Sequence, residues 1–508
     1  MFSKVLVLGI DGLTLDALKP WMHEGKLKTF NRLVKTGAHG KIRTTIPPYT
    51  SPAIPAFYTG KNPGKMNIVH FVNPKGTLLT LKDVKSLKLW DYLSIMGMKC
   101  CIVNLPLTCP SPKIYGVFIS GPPTTSKRFT YPEDLLSKIG FTYLKEDDIL
   151  DELISYIRKN EKKRFINRLI DLTENHIKVF KRIQRSYGPF ELGLLYIRET
   201  DILQHYLWNN RELMLKYYIR LDELLDELIN EIKHEYLFIF SDHGFHQAPL
   251  HEFYINTWLM KRGYIRIKKL GALMLRFYSK LPPLFKRMLL NMVVKRVKRE
   301  YIKMVKDSSN IKQILSFTMD LKKTVAIALV PYGVKILDVS HTYHEVLNKL
   351  YRDLKMLKDQ NNIRVFDIVL MRNEEYSGKY SVNAPDIIML SSKYKVRLEL
   401  SSKVFKLRTN DILQGGHDAA LYGELIVSGN GIKKGSIIKN ATIYDILPTI
   451  LYVLNLPIPT DIDGKVLLNI FKERRQKPIY VDEHFYIRAL YKKKIEFIRK
   501  VLKIRKHY

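Results

Sequence analysis

Only three cysteines occur in 508 residues, Cys100, Cys101 and Cys109, all within one short stretch. An odd count containing an adjacent pair argues against a disulfide framework. Cys100 and Cys101 lie in the apolar run KCCIVNL and read as packing residues of a buried strand. Acidic residues are also scarce: 84 Lys and Arg face 49 Asp and Glu, a formal charge of +35. Such a field attracts anions (nucleotides, nucleic acid, lipid headgroups or acidic metabolites) without choosing among them. No apolar run reaches the ~18–20 residues needed to span a bilayer. The chain opens directly on the strand KVLVLGIDG rather than on a basic leader with an apolar core and cleavage site, so a cytoplasmic, reduced protein is expected. With 46% hydrophobic residues and no excess of Gly or Pro, global disorder is not expected, and the chain can fill one large core or two.

Short apolar runs bounded by turn signals recur at 4–10, 99–104, 192–198, 236–241 and 424–428. Near-continuous hydrophobicity of this kind marks strands buried on both faces, as in parallel sheets. Helical patterns at 28–36, 87–96, 147–184 and 211–233 separate them. The alternation predicts a doubly wound α/β core, whose functional groups gather at the carboxyl ends of strands. We expect this core over residues 1–250, with a helical insertion at about 145–190, and again over 411–487. A cap region with a smaller α+β lobe is expected over 251–410. Within it, residues 261–306 carry fifteen Lys or Arg and one acid, Glu300. That stretch reads either as a basic amphipathic surface for anionic membrane or polyanion, or as a cap with solvated charges. The tail 488–508 reads as another basic amphipathic helix.

Four clusters carry chemistry: GIDG with Asp11, PPYTSPAIPAFYTGKNPG at 47–64, RETDILQHYLW with Asp201 and His205, and FSDHGF with Asp242 and His243. A further histidine, His417, stands in GGHDA before the strand ELIVSG. Asp201 and His205 are four apart, so a helix starting there projects both from one face. Three carboxylates and three imidazoles without a thiolate suit Zn²⁺, with Mn²⁺ or Fe²⁺ as substitutes. Six such groups exceed one tetrahedral ion and suffice for two ions with open positions, the arrangement that clamps an in-line displacement at phosphorus. Thr50 and Ser51 supply candidate hydroxyl nucleophiles ahead of a helix whose first amides face an anion.

Taken in order, these segments resemble the type I phosphodiesterase/nucleotide pyrophosphatase family of the alkaline phosphatase superfamily. The resemblance runs through GIDG (9–12), TSPAIPAFYTGKNPG (50–64), TDILQH (200–205), SDHG (241–244), FYINTWLMKRGYI (253–265), the YSGKY…APD stretch (376–386) and GGHDAALYGELIVSGNGI (415–432). It implies an alkaline phosphatase-like, mostly parallel sheet and hydrolysis of phosphodiester or pyrophosphate bonds. Aligned on the TG at 59–60, it places the nucleophile on Thr50 and a covalent phosphothreonine in the reaction path. It also implies one metal held by Asp201, His205 and His417 and another by Asp11, Asp242, His243 and the Thr50 oxygen. Nucleotide-directed members carry an Asn three residues past the nucleophile; here that position is Ala53, which leaves the Ser51 backbone N–H as substrate donor. The family also often has His-Gly where this chain has Met66-Asn67, a change read as one of packing.

The rival readings within the superfamily are a phosphomonoesterase, a sulfatase, a phosphonate hydrolase or a phosphoglycerate mutase. A sulfatase needs Cys or Ser for conversion to formylglycine, which Thr50 cannot supply. Outside it, the basic stretches suit a non-catalytic membrane or nucleic-acid binding protein, and as a secondary expectation we assign them peripheral contact with anionic lipid.

Overall fold

The computed structural model describes residues 1–68, 80–268, 320, 323–337, 342–408, 412–472, 476–482, 484–492 and 495. Most of the basic stretch 261–306 and most of the tail 488–508 therefore lie outside the described residues. The chain divides into two compact units: Met1–Asn62 with Thr80–Gln247 and Ile412–Tyr508, and Pro63–Leu79 with Ala248–Asp411. Residues 63–68 thus group with the second unit. Among the described residues, no helix is long and apolar enough to cross a membrane.

The first unit is built on a nine-stranded sheet. Its strands are β1 (Ser3–Ile10), β2 (Ala38–Arg43), β3 (Cys100–Leu105), β4 (Gly116–Ser120), β5 (Thr130–Tyr131), β6 (Phe190–Ile197), β7 (Tyr236–Phe240), β17 (Tyr422–Gly429) and β18 (Ala441–Thr442). Their order is β18-β2-β17-β7-β1-β6-β3-β4-β5. Only β5 and β17 run against the other seven. The short strands β8 (His246–Gln247) and β16 (Gly415–Gly416) pair antiparallel in a separate two-stranded sheet. The apolar run at 424–428 is therefore an antiparallel strand. Burial on both faces gives parallel and antiparallel central strands the same composition, so the run alone does not encode direction.

Helices α1 (Leu15–His23), α2 (Lys28–Thr36), α3 (Thr50–Thr59), α5 (Leu89–Ile95), α6 (Leu135–Ile139), α7 (Glu146–Arg158), α8 (Lys162–Tyr187), α9 (Glu199–Leu207), α10 (Arg211–Glu231) and α13 (Ile446–Val453) belong to this unit. The segment expected as a helical insertion is α7 and α8. Phe165, Ile166, Leu169, Leu172, Phe180 and Ile183 of α8 join the cluster formed by β1, β3 and β6, so α8 is a covering layer of the sheet. Its many charges lie on the opposite, solvated face.

Two glycines of GIDG have geometric reasons. A Cβ on Gly9 would stand 2.2 Å from Tyr196 Cδ2 and 3.2 Å from Phe240 Cε1, where the neighbouring strands press against β1. Gly12 adopts φ +64°, a left-handed turn that a side chain rarely accepts.

The second unit holds a four-stranded antiparallel sheet in the order β10 (Ala326–Val330), β11 (Gly333–Ile336), β13 (Ile387–Leu390), β12 (Ile368–Met371). A three-stranded sheet follows the order β14 (Tyr394–Arg397), β9 (His251–Tyr254), β15 (Phe405–Leu407). Helices α11 (Ile255–Lys261) and α12 (Tyr343–Lys355) pack on these strands through Trp258, Leu259, Leu350 and Leu354; α4 (Pro63–Met66) is also part of this unit. Buried Asp386 of the APD motif accepts from Ile336 N at 2.8 Å and Tyr343 Oη at 3.1 Å and pairs with Lys335 and Arg372. Its charge is thereby neutralised within the lobe.

Candidate active site

All seven side chains singled out as ligands lie in the first unit, at one edge of its sheet. Register aligns Ile10 with Ile197 and Gly9 with Phe240, so β1, β6 and β7 end at the same level. Asp11 follows β1, Asp242 and His243 follow β7, and Asp201 and His205 stand one turn apart on α9 directly after β6. His417 arrives at the same edge because β17 is antiparallel and begins where β7 ends. Side-chain hydroxyls bind the carbonyls freed at these strand ends. Thr200 Oγ1 donates to Asp11 O at 2.6 Å, Ser241 Oγ to His243 O at 2.6 Å, and Thr44 Oγ1 to Asp242 O.

Thr50 opens α3, and all ten residues of that helix are buried, Ser51 and Ala53 included. Phe57 of α3 stacks on Phe240 of β7 with ring centroids 4.2 Å apart, fixing the helix to the sheet. Thr50 Oγ1 lies 3.4 Å from His243 Nε2. The Thr50 and Ser51 amides fall in the first turn, where no carbonyl four residues back within the helix can accept them.

The three histidines share one arrangement. Nδ1 of His205, His243 and His417 lies 3.0 Å from Gly415 O, 3.0 Å from Gly244 O and 2.8 Å from Pro48 O. A carbonyl only accepts, so Nδ1 carries the hydrogen, and in the neutral ring the lone pair sits on Nε2. Those lone pairs point at carboxylate oxygens. Asp201 Oδ1 is 3.4 Å from His205 Nε2 and 3.9 Å from His417 Nε2. His243 Nε2 is 3.4 Å from Asp11 Oδ1 and 3.3 Å from Asp242 Oδ2. Acceptor facing acceptor is repulsive unless a cation lies between.

The carboxylates tell the same story. Asp11 and Asp242 are fully buried, and among the described residues both oxygens of Asp11, Oδ1 of Asp201 and Oδ2 of Asp242 have no hydrogen-bond donor. Burial first, then the like charges of Asp242 and Asp201, push the Asp11 carboxyl well above its ordinary range, with Arg198 opposing. A bound dication would reverse that balance. Ligand atoms of Asp201, His205 and His417 lie within 4.8 Å of one another, and so do those of Asp11, Asp201 and His243. The donor set, oxygens and imidazole nitrogens with no sulfur, fits Zn²⁺, Mn²⁺ or Fe²⁺. Asp201 belongs to both clusters, so proximity alone does not allocate it to one site.

Two charged residues at this edge escaped the sequence reading. Arg198 stood in the quoted RETD motif, one residue past β6, and that position was its only signal. Glu146 of α7 pairs with Arg198 across 52 residues and is hidden in sequence among the acids of EDDILDE. Burial raises the Glu146 carboxyl to about 7, against the pull of Arg198. His417 Nδ1 is oriented by Pro48 O, whereas its neighbour Asp418 accepts from Tyr49 Oη at 3.2 Å. His246, three residues past His243, directs Nδ1 to Gln247 O at 2.7 Å.

A sequence model of the type I phosphodiesterase/nucleotide pyrophosphatase family matches residues 5–397. Curated protein sequences yield no match. Among solved structures, phosphonoacetate hydrolase from Sinorhizobium meliloti aligns with TM-score 0.54 at 13% identity, over 89% of this chain and 95% of that one. A substituted form of the alkaline phosphatase PafA aligns with TM-score 0.51 at 14% identity, over 93% and 99%. Human ectonucleotide pyrophosphatase/phosphodiesterase 5 aligns with TM-score 0.50 at 14% identity, over 93% and 100%. At these identities the likeness establishes an alkaline phosphatase-like α/β fold.

Proposed function

The chain belongs to the type I phosphodiesterase/nucleotide pyrophosphatase family, and from that premise we propose a two-metal hydrolase of phosphodiester or pyrophosphate bonds with Thr50 as nucleophile. Membership makes it a phosphoric ester hydrolase of the alkaline phosphatase superfamily. The metal dependence and the covalent step are our reading. One observation carries them: three imidazole lone pairs aimed at carboxylate oxygens that have no donor among the described residues.

In this reading Asp201, His205 and His417 hold one divalent ion and Asp11, Asp242, His243 and Thr50 the other, with Zn²⁺ the preferred metal. Bound there, the ions supply the positive charge that acidifies a hydroxyl and offsets charge building on the phosphoryl oxygens. The chain does the rest. The buried start of α3 fixes Thr50 beside His243. The Ser51 amide in the first turn offers a donor to a phosphoryl oxygen. Thr50 Oγ displaces the leaving oxygen at phosphorus to give phosphothreonine, and water then cleaves it and restores Thr50. Ala53 provides no side-chain donor next to this position, which favours substrates not held in the manner of nucleotides, a phosphonate or a simple ester among them.

The test is hydrolysis of bis-p-nitrophenyl phosphate with added Zn²⁺ or Mn²⁺, p-nitrophenyl phosphate serving as the monoester comparison. Thr50→Ala should lower turnover by roughly 10³–10⁶-fold, as loss of a nucleophile does. Equal turnover in both proteins removes Thr50 from this role. Cytoplasmic placement with peripheral contact to anionic lipid, through residues 261–306 and the tail, is a separate proposal. Liposome co-sedimentation that ignores anionic lipid content would reject the lipid contact.

A further inference from the structure

The carboxylates at the sheet edge divide their oxygens between two kinds of partner. Oδ1 of Asp11 faces His243 Nε2, and Oδ1 of Asp201 faces His205 Nε2, each at 3.4 Å. Their Oδ2 atoms face a single guanidinium: Arg198 Nε is 3.8 Å from Asp11 Oδ2, and Nη2 is 3.9 Å from Asp201 Oδ2. These are ion-pair distances, longer than direct hydrogen bonds, so charge is the acting force. Arg198 is itself held from the far side, where Nη1 pairs with buried Glu146.

We propose that Arg198 is a positioning residue that ties the two metal clusters together, holding one aspartate of each with Oδ1 turned toward the histidines. The inference rests on the two-metal reading above. Arginine suits the task because its planar fork stays charged and presents several donors at fixed angles. Glu146 fixes the plane of that fork, so the orientation of Asp11 depends on that of Asp201. A lysine would carry the charge but, as a point charge, could not serve both aspartates together.

Charge alone predicts the opposite of positioning. Removing a cation beside a dication site should tighten metal binding by Coulomb's law. Losing an outer partner that orients a ligand typically weakens it by about 10–100-fold. Zn²⁺ titration calorimetry on the metal-stripped full-length protein separates the two. Arg198→Gln should bind Zn²⁺ about 10–100-fold more weakly than wild type, and the visible spectrum of its Co²⁺ form should change. Arg198→Lys should recover part of the affinity but not the Co²⁺ spectrum. Glu146→Gln retains the cation but loses its anchor together with a carboxylate charge, so it should show a smaller loss of the same sign, and the change in its Co²⁺ spectrum is what separates lost positioning from lost charge. It also keeps the inference testable if Arg198→Gln fails to fold. Affinity that is unchanged or tighter in Arg198→Gln, or, should that variant not fold, in Glu146→Gln, overturns the inference and leaves the metal reading intact. A wild type that binds no Zn²⁺ overturns both.

Discussion

Asp11→Asn should change the sign of its effect on stability with the metal content of the buffer. In metal-free protein, Asp11 is buried with both oxygens lacking donors among the described residues, and its ligand atom lies within 4.8 Å of those of Asp201 and His243. Two unit charges at that separation repel by about 3 kcal/mol at an effective dielectric near 20. Asp201 and Asp242 both repel Asp11, and Arg198 at 3.8 Å offsets roughly one of these interactions. About 3 kcal/mol of repulsion remains, and replacing the carboxylate by a neutral amide removes it. With EDTA present, Asp11→Asn should therefore be the more stable protein. With Zn²⁺ at about a thousand times its dissociation constant, wild type gains about 4 kcal/mol by mass action, and the variant, short of a ligand, gains less. The order then reverses once the variant's own gain from Zn²⁺ is under about 1 kcal/mol, the excess of about 4 over about 3. Urea denaturation followed by tryptophan fluorescence, with EDTA and with Zn²⁺, measures both. A variant that is less stable by the same amount in both media would show Asp11 to be a packing residue and refute the metal argument.

Three further outcomes follow from groups other than the ligands. Glu424 is buried, which raises its carboxyl to about 7 from an ordinary 4.5, with Lys41 and Lys19 only partly opposing. The folded state keeps that proton longer than the unfolded one, so stability falls as pH rises from 4.5 to 7 and then levels; Glu424→Gln should gain on wild type by up to about 3 kcal/mol between pH 4.5 and 8, and a constant difference in urea melts would contradict this. Gly9→Ala places a methyl against Tyr196, and thermal melts should show a loss of about 1–3 kcal/mol; an unchanged midpoint would mean that β1 and β6 separate without cost. Cys100 and Cys101 are buried with their thiols pushed up by desolvation, so a chromogenic disulfide reagent should label them only after denaturant is added; rapid labelling of the native protein would contradict their burial.

How far such features were legible in sequence depended on whether their signals were local. The apolar runs of β1, β3, β6, β7 and β17 stand out because both faces of each strand are covered. Asp11, Asp242 and His243 could be found because each follows such a run within three residues. β2 was not read: AHGKIR places half-exposed or exposed His39, Lys41 and Arg43 on one face and therefore lacks an apolar run. α8 was read as part of a helical insertion because its charges outnumber the stripe that meets the sheet. Its role depends on what lies beneath it, which no periodicity reports. Arg198 and Glu146 meet through the tertiary fold alone, and for a pair 52 positions apart there is no spacing rule to apply.

The position of β17 has a consequence for synthesis of the chain. It lies between β2 and β7, although both of those strands are made some 180 or more residues earlier. Until β17 emerges, the growing polypeptide has two strand borders with no ladder partner between them, the kind of surface on which chains join one another. His417 enters with the same strand. A product cut short before residue 417 would thus lack both a sealed sheet and a complete set of ion-holding groups, so one late segment, His417 and the strand that follows it, finishes the scaffold and the chemistry together.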